Sequence, residues 1–367
     1  MEFPRKIWLG MTMKLRAGEW VEVRSKEEIL ATLDKDGRME GLPFMPQMLQ
    51  YCGQRFKVYK RAHKTCDFVY TMHSRELPNG VHLDLRCDGK AYGGCQHACL
   101  LYWKDAWLKR LEEDAGLSEN KPILSNGVGC TEADVYAGTK SLNDKNEPVF
   151  TCQGTDVLEF TKPLAWWDIR QYIEDYRSGN VPLNTLFNGF IYSSYTTVMN
   201  SGFKVGRPLK WFYDAFEFIW GPYPRRQGKL LPGQPQPTVD LNLQPGELVR
   251  VRSYNEILST LNKENKHKGL FFDAEMVPYC GKVFRVRAVI STFIDEKSRK
   301  LVTVKTRCVS LEGAVCQAKY ATCRMLCPRS ILPWWREVWL ERVSNGTEGT
   351  EVPKSVETVP SARLMKV

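Results

Sequence analysis

The sequence predicts an α+β fold in which a small β-barrel-like module occurs twice, with a helical connector between the two copies. The first observation behind this prediction is an internal duplication. Residues 18–58 align with residues 246–286 without a gap, and 21 of the 41 aligned positions are identical. The identical positions include the run Tyr51-Cys52-Gly53, which recurs as Tyr279-Cys280-Gly281. One structural unit is therefore expected to be present twice.

The second observation is the pattern of apolar and polar residues within each copy. Each copy opens with residues that alternate with a period of two, at 19–24 and at 247–252, and this period predicts a half-buried strand. Ser25 and Glu28 fit a capping box, and the same pair recurs 228 residues later. We therefore expect a short helix after the first strand of each copy.

Further alternating segments predict the remaining strands of the two modules, at 55–59, 81–85, 283–287 and 301–305. Short strands with one inserted helix indicate a small, strongly bent sheet or a partly open barrel. The order and spacing of the predicted strands resemble those of SH3-like barrels, although any short antiparallel barrel would give a similar pattern.

Composition divides the chain into four parts. These are a first module (1–117), a connector with helices and a Pro/Gly-rich linker (118–245), a second module (246–343) and a polar tail predicted to be disordered (344–367). Within the connector, residues 116–145 look like loop, whereas residues 166–176 and 182–199 look helical.

The charge of the chain is positive and unevenly distributed. The formal net charge is +10, and it divides into +4 for residues 1–108, −2 for residues 109–245 and +8 for residues 246–367. A positive excess in the two modules favours an anionic macromolecule as partner, either nucleic acid or an acidic protein. A solvated basic surface that binds no partner would give the same net charge. The strand positions expected to meet phosphates are Lys57, Lys60, Arg61, Arg285 and Arg287.

The distribution of apolar residues indicates the cellular compartment of the protein. The longest apolar stretch, at 186–199, is interrupted by polar residues and falls short of the roughly 20 residues that span a bilayer. The N-terminal residues lack the apolar core and cleavage site of a secretion signal. We therefore expect a cytoplasmic protein without a transmembrane segment, and its oligomeric state stays open.

Cysteine is the most informative residue type. The chain has 12 cysteines, and we expect no disulfides because the cytosol is reducing. The duplication matches four of them to four others: Cys52 with Cys280, Cys87 with Cys308, Cys95 with Cys316, and Cys99 with Cys327. Four thiolates are the ligand number of a tetrahedral zinc site, so one metal site is predicted in each module. An iron–sulfur cluster is the alternative, because the chain contains no Cys-x-x-Cys pair.

The other four cysteines, Cys66, Cys130, Cys152 and Cys323, could form a third site, supply alternative ligands or have no role. Cys66 follows several cations, which lower the pKa of a thiol. Cys323 could replace Cys316 in the second module.

Several polar side chains occur in the first module without a counterpart in the second, namely His63, Lys64, Cys66 and His97. His97 could replace one thiolate ligand, and any chemistry is expected near these residues. The chain has no hydrolase, phosphate-binding or dinucleotide-binding motif, so the sequence leaves open whether the protein is an enzyme. The Trp residues at the end of each module are interpreted as core, with base stacking as the alternative; they are Trp103, Trp107, Trp334, Trp335 and Trp339.

Three runs together resemble a family of bacterial proteins built from two cysteine-rich modules. They are Tyr51-Cys52-Gly53, the stretch from Arg86 to Cys95 and the stretch from Cys327 to Glu337. The resemblance covers both modules and the connector. It implies a bacterial, cytoplasmic setting and carries no activity.

The leading interpretation is a zinc-binding pair of small β modules that acts as a scaffold or binds an anionic partner. The alternative is an iron–sulfur redox protein or a metalloenzyme with its active site in the first module.

Overall fold

The computed structural model describes residues 14–111, 129–200 and 222–343, together with helical positions 208, 211, 213 and 215. The tail predicted to be disordered (344–367) lies outside the described residues, as does part of the connector. The architecture is a mixed α+β fold with many short strands and few helices. The predicted fold class is confirmed at this level.

Most strands among the described residues are two to four residues long, and two are much longer. The strands are β1 (Trp20–Val23), β2 (Arg38–Met39), β3 (Leu42–Pro43), β4 (Arg55–Lys57), β5 (Lys60–Arg61), β6 (Lys64–Cys66), β7 (Ser74–Glu76), β8 (Gly80–His82), β9 (Trp103–Lys104), β10 (Leu108–Arg110), β11 (Lys140–Leu142), β12 (Pro148–Phe150), β13 (Lys162–Pro163), β14 (Leu248–Val251), β15 (Lys266–His267), β16 (Leu270–Phe271), β17 (Val283–Ile294), β18 (Leu301–Leu311), β19 (Trp334–Arg336) and β20 (Leu340–Arg342).

The α-helices of the described residues are α1 (Lys26–Leu30), α2 (Glu132–Ala137), α3 (Arg170–Arg177), α4 (Leu183–Asn200) and α5 (Tyr254–Leu258). Short 3₁₀ helices cover Pro46–Tyr51, Lys90–Tyr92, Asp105–Trp107, Ala274–Tyr279, Thr322–Arg324 and Glu337–Trp339. Within the described part of the chain, no helix is both long and apolar enough to cross a membrane.

The two modules pair their opening strands in the same register. Strand β1 lies between β4 and β10 with Trp20 opposite Lys57, and β14 lies between β17 and β20 with Leu248 opposite Arg285. Both pairings keep the offset of 228 residues seen in the sequence. Helices α1 and α5 each begin with the predicted capping box, in which the cap serine accepts from the amide of the third helical residue.

The sheets differ between the modules. In the second module, a five-stranded sheet with the order β19-β18-β17-β14-β20 curls into a nearly closed barrel. Strands β17 and β18 form a long hairpin with register shifts between Val286 and Ala288 and between Ile290 and Thr292, and such shifts bend a strand. In the first module, the pairings are divided among smaller sheets, among them β10-β1-β4, β5-β8-β9 and β13-β7-β6.

Tryptophan fills the centre of both cores. Trp103 and Trp107 in the first module, and Trp335 and Trp339 in the second, are fully buried. Phe44 meets the Trp107 ring edge-on at 5.1 Å between centroids, an arrangement that aromatic rings favour. The prediction that these four residues form core is confirmed.

The connector packs on the core of the first module. Strand β13 pairs with β7, and Val135, Phe150 and Phe160 belong to the first core. The helices predicted at 166–176 and 182–199 are present as α3 and α4. The prediction of loop at 116–145 is wrong within the described residues, because Thr131 accepts a hydrogen bond from the Asp134 amide and starts α2.

Candidate metal centre

A small cavity lies where the first module, the connector and the second module meet. Its volume is about 30 Å³, which suits a single ion or water. The titratable side chains on its wall come from all three parts of the chain; they are Cys87, Tyr92, Cys95, His97, Cys99, Tyr102, Cys152, Glu296 and Arg329. Three of the four ligands predicted for the first module therefore line one cavity.

The turn between Cys87 and Cys99 brings the predicted ligands together. The Cys87 amide donates to the Cys99 carbonyl oxygen over 2.8 Å, so the two residues lie on neighbouring segments. Between them the chain turns at Gly89, whose φ is +71°. A Cβ at Gly89 would lie 2.0 Å from the Cys95 carbonyl oxygen, so only glycine permits this close approach.

Cys152 reaches the cavity from the connector. Its amide donates to Thr155 Oγ1 over 2.9 Å. The next residue, Gln153, is buried and bonded to both the amide and the carbonyl of Tyr102. These bonds tether the connector to the first module and fix Cys152 on the cavity wall.

His97, Cys99 and Glu296 form the tightest group of ligand atoms. One atom from each lies within 4.8 Å of the other two, and this is the one such group of three or more His, Cys, Asp or Glu side chains among the described residues. The His97 ring packs against Phe293 at 5.6 Å and Trp334 at 4.9 Å between centroids. Both aromatic contacts come from the second module, so it supplies Glu296 and also orients the imidazole.

Glu296 is held by a buried arginine and has one oxygen without a partner. Arg329 Nη2 donates to Glu296 Oε1 over 2.7 Å, and both side chains are more than nine-tenths buried. Glu296 Oε2 is buried and has no hydrogen-bond partner. An unpaired buried carboxylate oxygen is costly, and a bound cation would remove that cost.

Burial favours the protonated form of the Cys87, Cys99 and Cys152 thiols by raising their pKa values. It raises the pKa of Cys99 to about 12 and that of Cys152 to about 11, and it raises the pKa of Cys87 further. It lowers the pKa of His97, so the imidazole is neutral. A metal that binds here would have to displace thiol protons, as metal sites generally do.

The donor set indicates which metal the cavity suits. Thiolate, imidazole and carboxylate are all ordinary zinc ligands, and Cys87, Cys95 and Cys152 lie on the same wall as further donors. Four cysteines on one wall also form the ligand set of an iron–sulfur cluster.

The remaining predicted ligands lie elsewhere. Cys52 and Cys280 occupy equivalent positions at the ends of two 3₁₀ helices. Burial raises the pKa of Cys52, and the charge of Lys26 acts against this rise. Cys308 is fully buried in β18. The structure does not bring these three thiols to the cavity.

Cys316 and Cys327 lie together in another place, in one cluster with Cys66 of the first module. Cys323 is outside that cluster and donates to the Met72 carbonyl oxygen over 3.0 Å. Cys130, another of the four cysteines outside the duplicated set, is buried beside α2.

His63 and Lys64 form a separate buried cluster with Asp175 of α3. Lys64 Nζ lies 2.6 Å from Asp175 Oδ2, and His63 Nε2 lies 3.3 Å from Asp175 Oδ1. These two residues of the first module therefore do not line the cavity, whereas His97 does.

Sequence reasoning missed Glu296 and Arg329, and it left Cys152 open between a third site, an alternative ligand and no role. None stands out by duplication or motif, and Glu296 is 197 positions from Cys99. In the sequence, the Pro-Arg-Ser run at 328–330 stands out only as part of a stretch that resembles a bacterial family, and this resemblance gives Arg329 no role.

No protein-family model, curated protein or solved structure matches this chain.

Proposed function

We propose that the protein binds a zinc ion between its two modules, with His97, Cys99 and Glu296 as ligands. The observation that carries the proposal is the convergence of these three donors within 4.8 Å, together with the unpaired Glu296 Oε2. The ion would fix the second module on the first.

Charge balance supports a zinc centre with one further thiolate from the cavity wall. The ion and Arg329 together carry three positive charges, and two thiolates with Glu296 carry three negative ones. A neutral group of charges is the arrangement that a buried site tolerates best. His97 completes a tetrahedral set as the neutral ligand.

The second candidate is an iron–sulfur cluster on Cys87, Cys95, Cys99 and Cys152, favoured by their presence on one wall. The cavity volume of about 30 Å³ suits one ion better than an eight-atom cluster. A cluster would also place several thiolate charges beside a single arginine that already pairs with Glu296.

Elemental analysis of freshly purified protein is the direct test. We expect zinc and no visible absorbance; absorbance near 400 nm with bound iron would favour the cluster. His97→Ala, Cys99→Ala and Glu296→Gln should each remove about one equivalent of zinc per chain. Cys130→Ala, which changes a buried thiol beside α2, is the matched control and should keep the full content. Unchanged zinc in Glu296→Gln and Cys99→Ala would contradict the proposal.

We further propose that each module is a barrel of the SH3-like kind and that the pair serves as a metal-stapled scaffold for an anionic partner. The equal registers of β1 and β14 support the common module type. Lys57, Arg285 and Arg287 are exposed and available to a partner. Arg61 is not, since it is buried in an ion pair with Asp105.

A cytoplasmic location is part of the proposal. All 12 cysteines are free thiols in the structure, and reducing compartments keep thiols in this form.

A further inference from the structure

The connector helices α3 and α4 expose apolar side chains on their outer faces. Phe187, in the first half of α4, is 65% exposed, and α4 contains no charged residue over its 18 positions. An exposed apolar patch on a folded protein marks a surface that meets another molecule or a membrane. The residues of this patch recur at helical spacing and are Ile169, Ile173 and Tyr176 on or beside α3, and Leu183, Phe187 and Ile191 on α4.

The inner faces of the same two helices are packed, so the exposure is not a result of loose contacts. The ring of Tyr172 in α3 lies 4.8 Å from that of Phe190 in α4. A Cβ at Gly189 would lie 2.9 Å from Met325 Sδ, so α4 lies close against the loop before β19. Both helices therefore present a fixed apolar face to the outside.

Two tryptophans extend this face beyond the start of α3. Trp166 and Trp167 are 56% and 69% exposed. The Tyr172 hydroxyl donates to the Trp166 carbonyl oxygen over 2.7 Å, and the Gln171 side-chain amide donates to the Ala165 carbonyl oxygen over 2.9 Å. These bonds hold the turn that carries both indoles. Exposed tryptophan beside an apolar face is typical of a membrane–water interface.

A pocket with two arginines borders the apolar face. Its volume is about 720 Å³, and Arg16, Tyr176 and Arg177 are on its wall. The Ala17 amide donates to the Ser178 carbonyl oxygen over 2.8 Å. This bond holds the segment that carries Arg16 against the end of α3. Tyr176 belongs both to the pocket and to the apolar face, so the two surfaces are continuous.

The two arginines have no counter-charge of their own. Within the described residues, both are exposed and neither belongs to an ion pair. The carboxylate of Glu174, also on α3, already lies 3.6 Å from Lys14 and 4.0 Å from Arg61. Guanidinium groups donate paired hydrogen bonds to phosphate oxygens. The pocket therefore suits a phosphate group at the edge of an apolar phase.

We propose that the outer faces of α3 and α4, with Trp166 and Trp167, lie on a membrane surface, and that Arg16 and Arg177 bind the phosphates of anionic phospholipids there. Helices with one apolar face lie in the plane of the headgroups in this way. The cytoplasmic surface of a membrane is anionic and attracts arginine, so it supplies the missing counter-charge. A second copy of the chain would bring the same two cations and no such anion. The site is separate from the zinc centre.

Co-sedimentation of the full chain with vesicles tests the proposal. We expect strong binding to vesicles of equal parts phosphatidylcholine and phosphatidylglycerol, and weak binding to phosphatidylcholine alone. Arg16→Gln with Arg177→Gln should lower the partition coefficient for the anionic vesicles about 30-fold and leave that for the neutral vesicles unchanged. Ile173→Ser with Phe187→Ser should lower binding to both vesicles by more than about tenfold.

Two matched controls change the same chemistry elsewhere. Arg285→Gln with Arg287→Gln removes the same net charge from β17, and Leu142→Ser removes an exposed apolar side chain from β11. Both should bind vesicles as the wild type does. Because every changed side chain is exposed, all variants should keep the melting temperature of the wild type, which thermal unfolding checks.

Several outcomes would overturn the proposal. One is unchanged vesicle binding in the Ile173→Ser, Phe187→Ser variant. Another is loss of binding in the Arg285→Gln, Arg287→Gln variant alone, which would assign the lipid contact to the basic strands. Light scattering adds a third: a wild-type dimer that becomes a monomer in Phe187→Ser, without vesicle binding, would mean that a second copy covers the face. Binding of inorganic phosphate through Arg16 and Arg177 without vesicle binding would leave a small-anion site only. Cys99→Ala, which tests the zinc centre, should bind vesicles normally.

Discussion

Lys64 is the most deeply buried lysine among the described residues, and it contacts three parts of the chain. Its Nζ lies 2.6 Å from Asp175 Oδ2, 3.3 Å from Gln171 Oε1 and 2.9 Å from the Met325 carbonyl oxygen. Three acceptors therefore meet the three hydrogens of one ammonium group. Because Lys64 is in β6, the other side chains are in α3 and Met325 is in the second module, this residue ties three parts of the chain together.

Asp175→Asn should be strongly destabilising, because it leaves the Lys64 ammonium buried without its counter-charge. We expect a loss of about 3–5 kcal/mol in the free energy of unfolding, measured by urea denaturation. Glu174→Gln on the same helix is the control: Glu174 is partly exposed and 4.0 Å from Arg61, so its loss should stay below about 1 kcal/mol. Equal effects of the two variants would show that burial of the pair is unimportant.

Buried histidines should make the metal-free protein less stable in mild acid. Burial lowers the pKa of both His63 and His82 from 6.5 to about 3. Below pH 6.5 the unfolded chain therefore takes up two protons that the folded chain cannot accept, and stability falls as pH falls. Burial raises the pKa of Asp175 from 3.8 to about 6, which acts in the opposite direction between these values.

Two histidines outweigh one aspartate, so we expect a net loss of about 2–3 kcal/mol between pH 7 and pH 5. Urea denaturation at both pH values, with a chelator present so that zinc release does not contribute, measures it. His82→Gln keeps a donor for the Leu101 carbonyl oxygen, which His82 Nδ1 contacts at 2.8 Å. Because the Asp175 contribution stays, this variant should lower the pH-dependent loss by roughly three quarters. A variant with the wild-type pH dependence would contradict the assignment to His82.

At the level of elements, local sequence patterns were sufficient to predict a strand or helix where one of its faces packs against the core. The strand predicted at 19–24 is β1, and the capping boxes mark the starts of α1 and α5. The strand predicted at 283–287 is correct but too short, since β17 continues to Ile294. Beyond Arg287 the strand contacts its own core on one face and the first module on the other, so the alternation of polar and apolar residues is lost.

The candidate centre could be predicted only in part, because it also depends on contacts between the two modules. Cys87, Cys95 and Cys99 were found because they are matched in the second copy, and they do line one cavity. Their matches did not diverge in sequence but did diverge in position: Cys308 is enclosed in β18, and Cys316 meets Cys66. A duplication shows which residues are equivalent in sequence, whereas contacts between the copies are necessarily asymmetric.

The long hairpin β17–β18 makes part of the contact of the second module with the rest of the chain. Gln96 Oε1 accepts the amides of Ser291 and Thr292 over 2.6 and 3.0 Å, and the Phe150 amide donates to the Arg299 carbonyl over 2.9 Å. These hydrogen bonds set the position of Glu296, which follows the end of β17. Strand β4, the counterpart of β17 in the first module, is only three residues long.

At the level of the whole molecule, the positive charge predicts how a polyanion would bind. Lys57, Arg285 and Arg287 are exposed, and three phosphate contacts would weaken duplex binding about 40-fold between 50 and 200 mM salt. Fluorescence titration of labelled duplex and single-stranded oligonucleotides measures this slope. The triple variant Lys57→Gln, Arg285→Gln, Arg287→Gln should bind weakly at all salt concentrations. No binding by the wild type at low salt would exclude nucleic acid and leave either an acidic protein or no anionic partner.

The centre at His97, Cys99 and Glu296 also sets an order of events in synthesis. Cys87, Cys95, Cys99 and Cys152 leave the ribosome well before Glu296 and Arg329, which close the cavity. At 5–20 residues per second the 144 residues from Cys152 to Glu296 take roughly 7–29 s. During this interval the nascent first module presents thiols that are open to solvent and to any chaperone or metal donor. A metal donor that acts on ribosome-bound chains would therefore meet the cysteines and His97, and the Glu296 carboxylate would reach the ion last.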